Sequence, residues 1–156
     1  MADVHSKAVR SYNMSRVRGR GNKDTELALA KLFRRHSITG WRRNQAVFGK
    51  PDFIFQNLKL AIFVDGCFWH GCPKHCKYAK WLLRNVTANN PPSPRNGLRR
   101  TGRAFWRRKL AGNKTRDRLV TRTLRKAGWR VLRIWEHELA RKNEPKLVKR
   151  IQRALD

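Results

Sequence analysis

Residues 49–76 constrain the fold and the function of this chain more than any other stretch, and they read GKPDFIFQNLKLAIFVDGCFWHGCPKHC. The short apolar runs at 53–55 and 60–64 are typical of buried strands, and the pair Gln56-Asn57 between them predicts a hairpin. Asp52 precedes the first run and Asp65 follows the second. Histidines, cysteines and two aromatic residues crowd directly behind the second carboxylate, and such crowding is typical of a functional site.

The charge of the chain indicates what it binds. Its 156 residues include 38 Lys and Arg against 10 Asp and Glu, which gives a net charge of +28. A field of this strength predicts a polyanionic partner, and nucleic acid is the first candidate. A ribosomal or nonspecific nucleic-acid-binding protein is the simplest alternative. Six Trp and a coherent series of strands argue against a disordered chain.

No targeting feature stands out in the chain. No apolar run is long enough to span a bilayer, and the first five residues, MADVH, lack the apolar stretch of a secretory signal. We therefore expect a cytoplasmic protein that does not associate with a membrane. The sequence shows no pattern that indicates a second interface, so we also expect a monomer.

Composition divides the chain into three parts. Residues 1–22 are polar and basic and predict an N-terminal arm, whereas residues 23–156 are long enough for a single domain with its own core. Within the domain, residues 77–103 are basic and rich in Pro, Asn and Gly, which predicts a loop or insertion.

The order of predicted elements gives the fold class. A helix over 24–36 with Asp24 as its N-cap is followed by extended segments at 41–47, 53–55 and 60–64. A helix over 104–127, a strand over 129–135 and a final helix entered at Pro145 complete the chain. This order predicts an α/β domain with a mixed central sheet between helices.

Four carboxylates are the candidate catalytic groups. Helical periodicity places Glu26 and Asp117 on the inward faces of their helices, while Asp52 and Asp65 stand at strand ends. Mg²⁺ prefers hard oxygen ligands, and a basic protein that holds it suggests phosphodiester hydrolysis. His70 lies close behind Asp65 and is a candidate general acid or base. The alternative for each carboxylate is a salt bridge with one of the many arginines.

The cysteines are the candidate zinc ligands. Cys67, Cys72 and His75 have the spacing C-x4-C-x2-H, and the fourth ligand is either Cys76 or His137, which follows the last strand. Free buried thiols are the alternative. Two aromatic pairs, Phe68-Trp69 and Phe105-Trp106, lie beside basic segments and are candidates for insertion between base pairs, with core packing as the alternative.

These residues resemble a known family, the very short patch repair (Vsr) DNA mismatch endonucleases. The similarity extends over most of the chain, and its most specific part is the run FVDGCFWHGCP at 63–73. The other matching residues are His5-Ser6-Lys7, Arg10-Ser11, Met14, Asp24-Thr25-Glu26, Pro51-Asp52-Phe53, Phe105-Trp106, Asn113, Arg116-Asp117-Arg118, residues 128–132 and Trp135-Glu136.

The resemblance implies a restriction-endonuclease-like fold of the PD-(D/E)xK type with a structural zinc site. It implies Mg²⁺-dependent nicking of one strand of duplex DNA, 5′ of the T in a T·G mismatch left by deamination of 5-methylcytosine. It also implies a bacterial, nucleoid-associated protein that works alongside mismatch-repair proteins and a cytosine methyltransferase. The alternatives are a Vsr-like nickase with another DNA target and a zinc-stapled DNA-binding module without activity.

The resemblance also implies a role for individual residues. Asp52 and the backbone carbonyl of Val64 would bind Mg²⁺, Glu26 and Asp117 would hold metal-bound waters, and His70 would be the catalytic histidine. The implied zinc ligands are Cys67, Cys72 and His75, with His137 where family members often have a cysteine. The residues expected to enter the DNA are Phe68, Trp69 and Trp106.

The chain departs from the family pattern at two places. The segment between Cys76 and Phe105 is longer than the usual family linker, which leaves the preferred sequence context open. Some members have a histidine at the position of Asp65. Asp65 is therefore a second metal-binding acid, a group that supports the metal site, or a residue that simply ends the strand.

Overall fold

The computed structural model of the chain describes residues 6–15, 21–75 and 103–156, and a four-stranded mixed sheet lies at its centre. The strands β1 to β4 lie side by side in chain order, at Trp41–Arg42, Phe53–Phe55, Leu60–Asp65 and Arg130–Trp135. β1, β2 and β3 are antiparallel neighbours, whereas β3 and β4 run parallel. The predicted mixed α/β architecture is thereby confirmed.

The two apolar runs form the predicted hairpin. Phe53 on β2 lies opposite Ile62 on β3, and the chain reverses through a turn at residues 56–59. The extended segment predicted for 41–47 is shorter than expected, because β1 ends at Arg42. Two residues later Asn44 takes a φ of 56°, which turns the chain out of the extended conformation.

The described helices are α1 (Lys7–Ser15), α2 (Glu26–Arg35), α3 (Arg103–Lys126) and α4 (Glu144–Leu155). Short 3₁₀ turns at Glu136–Leu139 and Arg141–Asn143 join β4 to α4. α1 lies inside the predicted N-terminal arm, whereas most of the predicted 77–103 loop lies outside the described residues. None of the described helices combines the length and apolar character that crossing a bilayer requires.

The N-cap predicted for the helix over 24–36 is wrong by one residue. α2 begins at Glu26 with Thr25 in the cap position, and the Thr25 side chain makes no capping bond. Asp24 instead belongs to the preceding turn, where its N–H donates to Asn22 Oδ1 at 3.0 Å. The Asn22 side chain thus stabilises the turn before the helix, and Asp24 lies in that turn and not at the predicted N-cap position.

The end of α3 follows the prediction. Gly128 has a φ of 77°, and its N–H donates to the Arg125 carbonyl oxygen at 3.0 Å. The Trp129 N–H donates to the Leu124 carbonyl oxygen at 2.9 Å. These two bonds satisfy carbonyls of the last helical turn, as expected where glycine closes a helix and turns the chain into a strand.

Apolar side chains cover both faces of the sheet. One cluster packs α2 and α4 against one face and includes Leu29, Phe33, Ile62, Ile134 and Ile151, which are all fully buried. A smaller cluster packs α3 against the other face through Val120, Leu124 and Phe63. This second cluster fixes α3 across the sheet and brings Asp117, on the same helix face as Val120, to the C-terminal end of β3.

Candidate active site and Cys-His cluster

A cleft of about 340 Å³ opens where β3 ends beneath α3. It is bordered by the loop before β2, the first turn of α2 and the turn that follows β3. All five carboxylate and histidine positions that the sequence singled out for catalysis line this cleft: Glu26, Asp52, Asp65, His70 and Asp117. The structure therefore brings together groups that lie up to 91 positions apart in the chain, from Glu26 to Asp117.

Asp52 is held at the mouth of the β2–β3 hairpin. Its N–H donates to the Ile62 carbonyl oxygen at 3.0 Å, and its Oδ2 accepts from the Val64 N–H at 2.7 Å. The N–H and the carbonyl of a strand residue point to the same side of the strand, so the Val64 carbonyl also faces Asp52. Asp52 Oδ1 accepts no hydrogen bond from the described part of the chain.

The environment of Asp52 disfavours its charged form. Burial raises the pKa of Asp52 to about 6, although the bond from the Val64 N–H opposes this rise. The negative charges of Glu26 and Asp65 add to it. A desolvated carboxylate with a raised pKa beside other acids is typical of a site that a cation would complete.

Glu26 extends from the first turn of α2 and is 7% exposed, so the prediction that it faces inward is confirmed. Arg43 Nη2 donates to Glu26 Oε2, and the Gly21 N–H donates to Oε1 at 3.1 Å. The guanidinium of Arg43 also lies 5.5 Å from the ring centroid of Phe53. The salt bridge weighed as an alternative for each carboxylate is thus present at Glu26.

His70 and Asp117 form a hydrogen-bonded pair across the cleft. His70 Nδ1 lies 2.7 Å from Asp117 Oδ2 and 3.6 Å from Asp65 Oδ1. Burial alone would raise the pKa of Asp117, but the bond and charge of His70, together with Arg133, outweigh it and lower the pKa below 3.8. Asp117 is therefore ionised at neutral pH, and it orients the imidazole.

Asp65 is buried and paired with an arginine. Its side chain is 4% exposed in the folded chain. Arg133 on β4 donates from Nε to Oδ2 and from Nη2 to Oδ1, each at 2.6 Å. The same Nη2 lies 2.8 Å from Asp117 Oδ1. Potential ligand atoms of Asp65, His70 and Asp117 lie within 4.8 Å of one another.

The aromatic turn after β3 borders the same cleft. Phe68 is 42% exposed and packs edge-on against Trp69, with ring centroids 5.1 Å apart. Asn113 on α3 donates from Nδ2 to the Trp69 carbonyl oxygen at 2.6 Å, which ties the turn to the helix. The backbone of Trp106 belongs to α3, but the structure does not describe its side chain.

A second cluster lies immediately beyond this turn. Potential ligand atoms of Cys67, Cys72, His75 and His137 lie within 4.8 Å of one another. His137 Nδ1 is 3.2 Å from Cys67 Sγ and 3.7 Å from Cys72 Sγ, and His75 Nδ1 is 3.9 Å from Cys72 Sγ. The structure therefore brings His137 to the other three residues, while Cys76 lies outside the described residues.

The chemistry of these four donors fits a zinc ion. Two thiols and two imidazoles are a tetrahedral zinc set. Burial lowers the pKa of His137, and the neighbouring imidazole of His75 lowers it further, which favours the neutral form that a ligand needs. Burial raises the pKa of Cys67 to about 11. The cluster thus holds a protonated, poorly solvated thiol unless a cation stabilises the thiolate.

Neighbouring bonds hold the cluster in place. Glu136 Oε2 accepts from the Cys67 N–H at 2.9 Å, and Asn143 Nδ2 donates to the His137 carbonyl oxygen at 2.7 Å. These contacts connect the turn after β3 with the 3₁₀ turns after β4. A metal here would therefore fasten the ends of the parallel strands β3 and β4 at the edge of the cleft.

The matches to known proteins agree with this geometry. Residues 2–78 match the family described as DNA mismatch endonuclease Vsr. The DNA mismatch endonuclease Vsr of Escherichia coli (strain K12) is 36% identical over 138 residues, which cover 87% of this chain and 74% of that protein. The chain belongs to the Vsr family of DNA mismatch endonucleases.

Two further Vsr-like relatives carry the name type II nicking enzyme. V.NaeI from Lentzea aerocolonigenes is 38% identical over 135 residues, covering 84% of this chain and 69% of that one. V.HpaIIP from Haemophilus parainfluenzae is 32% identical over 136 residues, covering 86% and 83% respectively. Membership of the Vsr family identifies the chain as a DNA endonuclease, so the predicted enzyme class and nucleic-acid partner are confirmed.

The sequence did not reveal the arginines inside the site. Arg43 and Arg133 pair with Glu26 and Asp65, but in a chain with 38 Lys and Arg no pattern separates them from the others. One signal was present for Arg133. It interrupts the apolar strand VLRIW, and a charge within such a strand needs a buried partner.

Proposed function

We propose that this enzyme is a Mg²⁺-dependent endonuclease that nicks one strand of duplex DNA 5′ of the T in a T·G mismatch. The nick would initiate very short patch repair where 5-methylcytosine has been deaminated. The observation that carries the proposal is the convergence of Glu26, Asp52, His70 and Asp117 on one cleft. A protein that only binds DNA needs no such set of acids beside a histidine.

Asp52 and Val64 are the residues that would hold Mg²⁺. Asp52 offers Oδ1, and the Val64 carbonyl faces the same position from β3. The chemistry that Mg²⁺ supplies when bound is polarisation of the scissile phosphate and activation of water. Glu26 and Asp117 line the same cleft and would accept hydrogen bonds from metal-bound waters.

His70 is the residue that would move a proton. Because its Nδ1 is bound to the ionised Asp117, the neutral ring carries its proton on Nδ1 and leaves Nε2 as the acceptor. Nε2 would accept a proton from the attacking water or, once charged, donate one to the leaving oxygen. Asp117 would hold the ring in that orientation and stabilise its charged form.

The aromatic turn would make the mismatch accessible. Phe68 and Trp69 present a large apolar edge beside the cleft, and Trp106 would join them from α3. Apolar side chains that wedge between base steps unstack them, and a mismatched pair is the easiest to open. The zinc that we propose at the Cys-His cluster would keep this turn in shape.

A nicking assay on three end-labelled duplexes tests the proposal. One duplex carries a single T·G pair, the second a matched C·G pair at that position, and the third a matched T·A pair. We expect Mg²⁺-dependent nicking of the T-containing strand only in the T·G duplex, immediately 5′ of that T.

The names of the relatives favour one alternative, a Vsr-like nickase with another DNA target. Several are called type II nicking enzymes, which suggests recognition tied to particular DNA sequences. Nicking of all three duplexes would retain the nuclease and reject mismatch specificity. Tight binding without any nicking would reject the catalytic proposal and favour the passive DNA-binding module.

A further inference from the structure

Two carboxylates face each other at the inner end of the cleft. Asp65 comes from the end of β3 and Asp117 from the middle of α3, and both lie beside His70 Nδ1, at 3.6 Å and 2.7 Å. Asp65 is almost completely buried. Two acids so close, one of them without solvent, repel each other unless a positive charge lies between them.

Arg133 supplies that charge from β4. It lies opposite Phe63 in the parallel β3–β4 pair, so its side chain shares a sheet face with Phe63 and Asp65. That is the face on which α3 packs, and the guanidinium lies 4.9 Å from the centroid of the Phe63 ring. Arg133 therefore lies between the sheet and α3, with 23% of its side chain exposed.

The hydrogen bonds of Arg133 use both carboxylates. Nε and Nη2 bind the two oxygens of Asp65 at 2.6 Å each, and Nη2 also binds Asp117 Oδ1 at 2.8 Å. His70 takes the remaining oxygen of Asp117. The third nitrogen, Nη1, has no solvent contact, so the guanidinium acts on these acids and does not reach out to a phosphate.

We propose that Arg133 is a positioning residue: it holds Asp65 and Asp117 around His70 and occupies, as a fixed cation, the place where Asp65 and Asp117 would otherwise bind a second divalent ion. The inference rests on the proposed function, since it assumes that His70 moves the proton and that Asp52 binds Mg²⁺. Asp65, whose role the sequence left open, is then a hydrogen-bond partner of Arg133 and not a metal ligand.

Counting bound metal ions tests the inference without measuring activity. DNA-free protein that retains its zinc is titrated with Mn²⁺, and bound ions are counted by electron paramagnetic resonance. We expect one Mn²⁺ in the parent, lost in Asp52→Asn. Arg133→Met preserves length and removes the charge, and we expect it to bind one additional Mn²⁺ that a further Asp65→Asn removes.

The ion count separates the two proposals. An unchanged count in Arg133→Met would overturn the inference about Arg133, and so would a second ion in the parent that Asp65→Asn removes. Retention of the first ion in Asp52→Asn would instead contradict the Mg²⁺ ligand of the proposed function. The additional ion in Arg133→Met still decides the role of Arg133 in that case.

Kinetics test the positioning role on the T·G duplex, or on whichever duplex the parent nicks. We expect Arg133→Met to lower kcat by about 10²-fold, the lower end of a general acid–base contribution, with KM changed less than about threefold. Adding Asp65→Asn should restore kcat by at least about fivefold, because it removes one of the two repelling carboxylates. A merely structural loss would worsen with the second substitution.

Two further variants are controls for misfolding and for the loss of a positive charge in itself. Arg133→Lys retains a cation without the planar fork, and we expect no additional Mn²⁺ and a kcat about tenfold below the parent. Arg130→Met removes an exposed charge from the same strand and should leave kcat unchanged. A kcat of Arg133→Met within twofold of Arg130→Met, or no restoration by Asp65→Asn, would overturn the positioning role.

Discussion

The acidic cleft and the Cys-His cluster are neighbours with opposite effects on the fold. Both gather side chains from the turn after β3 and from distant elements, and Gly66 and Cys67 mark the point where one site passes into the other. The cleft buries Asp52, and does so beside other acids, which raises its pKa and costs stability. The Cys-His cluster fits a metal that would fasten the same turn. One short turn can therefore carry a destabilising reactive site where a cluster able to bind a stabilising metal lies directly behind it.

The largest expected effect is on the cleft side of the comparison. Asp52→Ala should lower nicking by at least about 10⁴-fold, equivalent to about 5.5 kcal/mol of transition-state stabilisation, because it removes the proposed Mg²⁺ ligand. DNA binding, measured by fluorescence anisotropy at fixed salt, should stay within threefold of the parent, since one acid contributes little to binding a polyanion. A variant that nicks as well as the parent would show that Asp52 is not the metal ligand.

Zinc removal tests the other side. Stripping the metal with a strong chelator should lower the free energy of unfolding by about 4 kcal/mol or more, the contribution of a ligand present at a thousand times its Kd. Urea unfolding, followed by tryptophan fluorescence with metal loss confirmed by elemental analysis, measures the change. Cys72→Ala should reproduce the loss in untreated protein. Equal stability of the stripped and loaded proteins would leave the cluster without a structural role.

The cost of the cleft has a pH dependence with a defined sign. The pKa of Asp52 is about 6 when folded and 3.8 as the ordinary value, so the folded state binds the proton more tightly. The stability that Asp52 confers is therefore complete below pH 3.8 and is lost as the pH rises through about 6. Without Mg²⁺, Asp52→Asn should raise the free energy of unfolding by about 3 kcal/mol at pH 8 and by almost nothing near pH 3.5.

Urea unfolding in buffer without Mg²⁺ measures this difference at both pH values. Asp24→Asn is the matched control, because Asp24 is exposed and lies outside the cleft. We expect that control to change stability by less than about 0.5 kcal/mol at either pH. A stabilisation by Asp52→Asn that did not depend on pH would contradict the desolvated state of this carboxylate.

The sequence predicted the positions of both sites better than their internal contacts. Helical periodicity correctly turned Glu26 and Asp117 inward, and the position of His137 after the last strand brought it within reach of Cys67. Periodicity records which residues face the interior, and this information is local. Periodicity does not show which charged side chains pair with each other. The pairing of Asp65 with Arg133, 68 positions away, becomes apparent only from the parallel register of β3 and β4.

The boundary errors have the same origin. The sequence assigned the N-cap to Asp24, yet the Asn22 side chain accepts the Asp24 N–H and shifts the helix start to Glu26. Likewise, Asn44 ended β1 early through a left-handed φ that many residues in turns adopt without a clear signal. Side chains that bond to nearby backbone compete with regular structure, and the outcome depends on the fold around them.

The smallest expected effect lies on the bond that joins α3 to the aromatic turn between the two sites. Asn113 Nδ2 donates to the Trp69 carbonyl oxygen at 2.6 Å. Asn113→Ala should lower the free energy of unfolding by about 1 kcal/mol, the usual net value of one such bond. If the turn positions Phe68 and Trp69 for the DNA, the same change should lower kcat/KM on a T·G duplex more than stability alone explains. Lys114→Ala, at the next and exposed position of α3, is the control for both measurements. A kcat/KM equal to that of this control would show that the turn keeps its shape without the bond from Asn113.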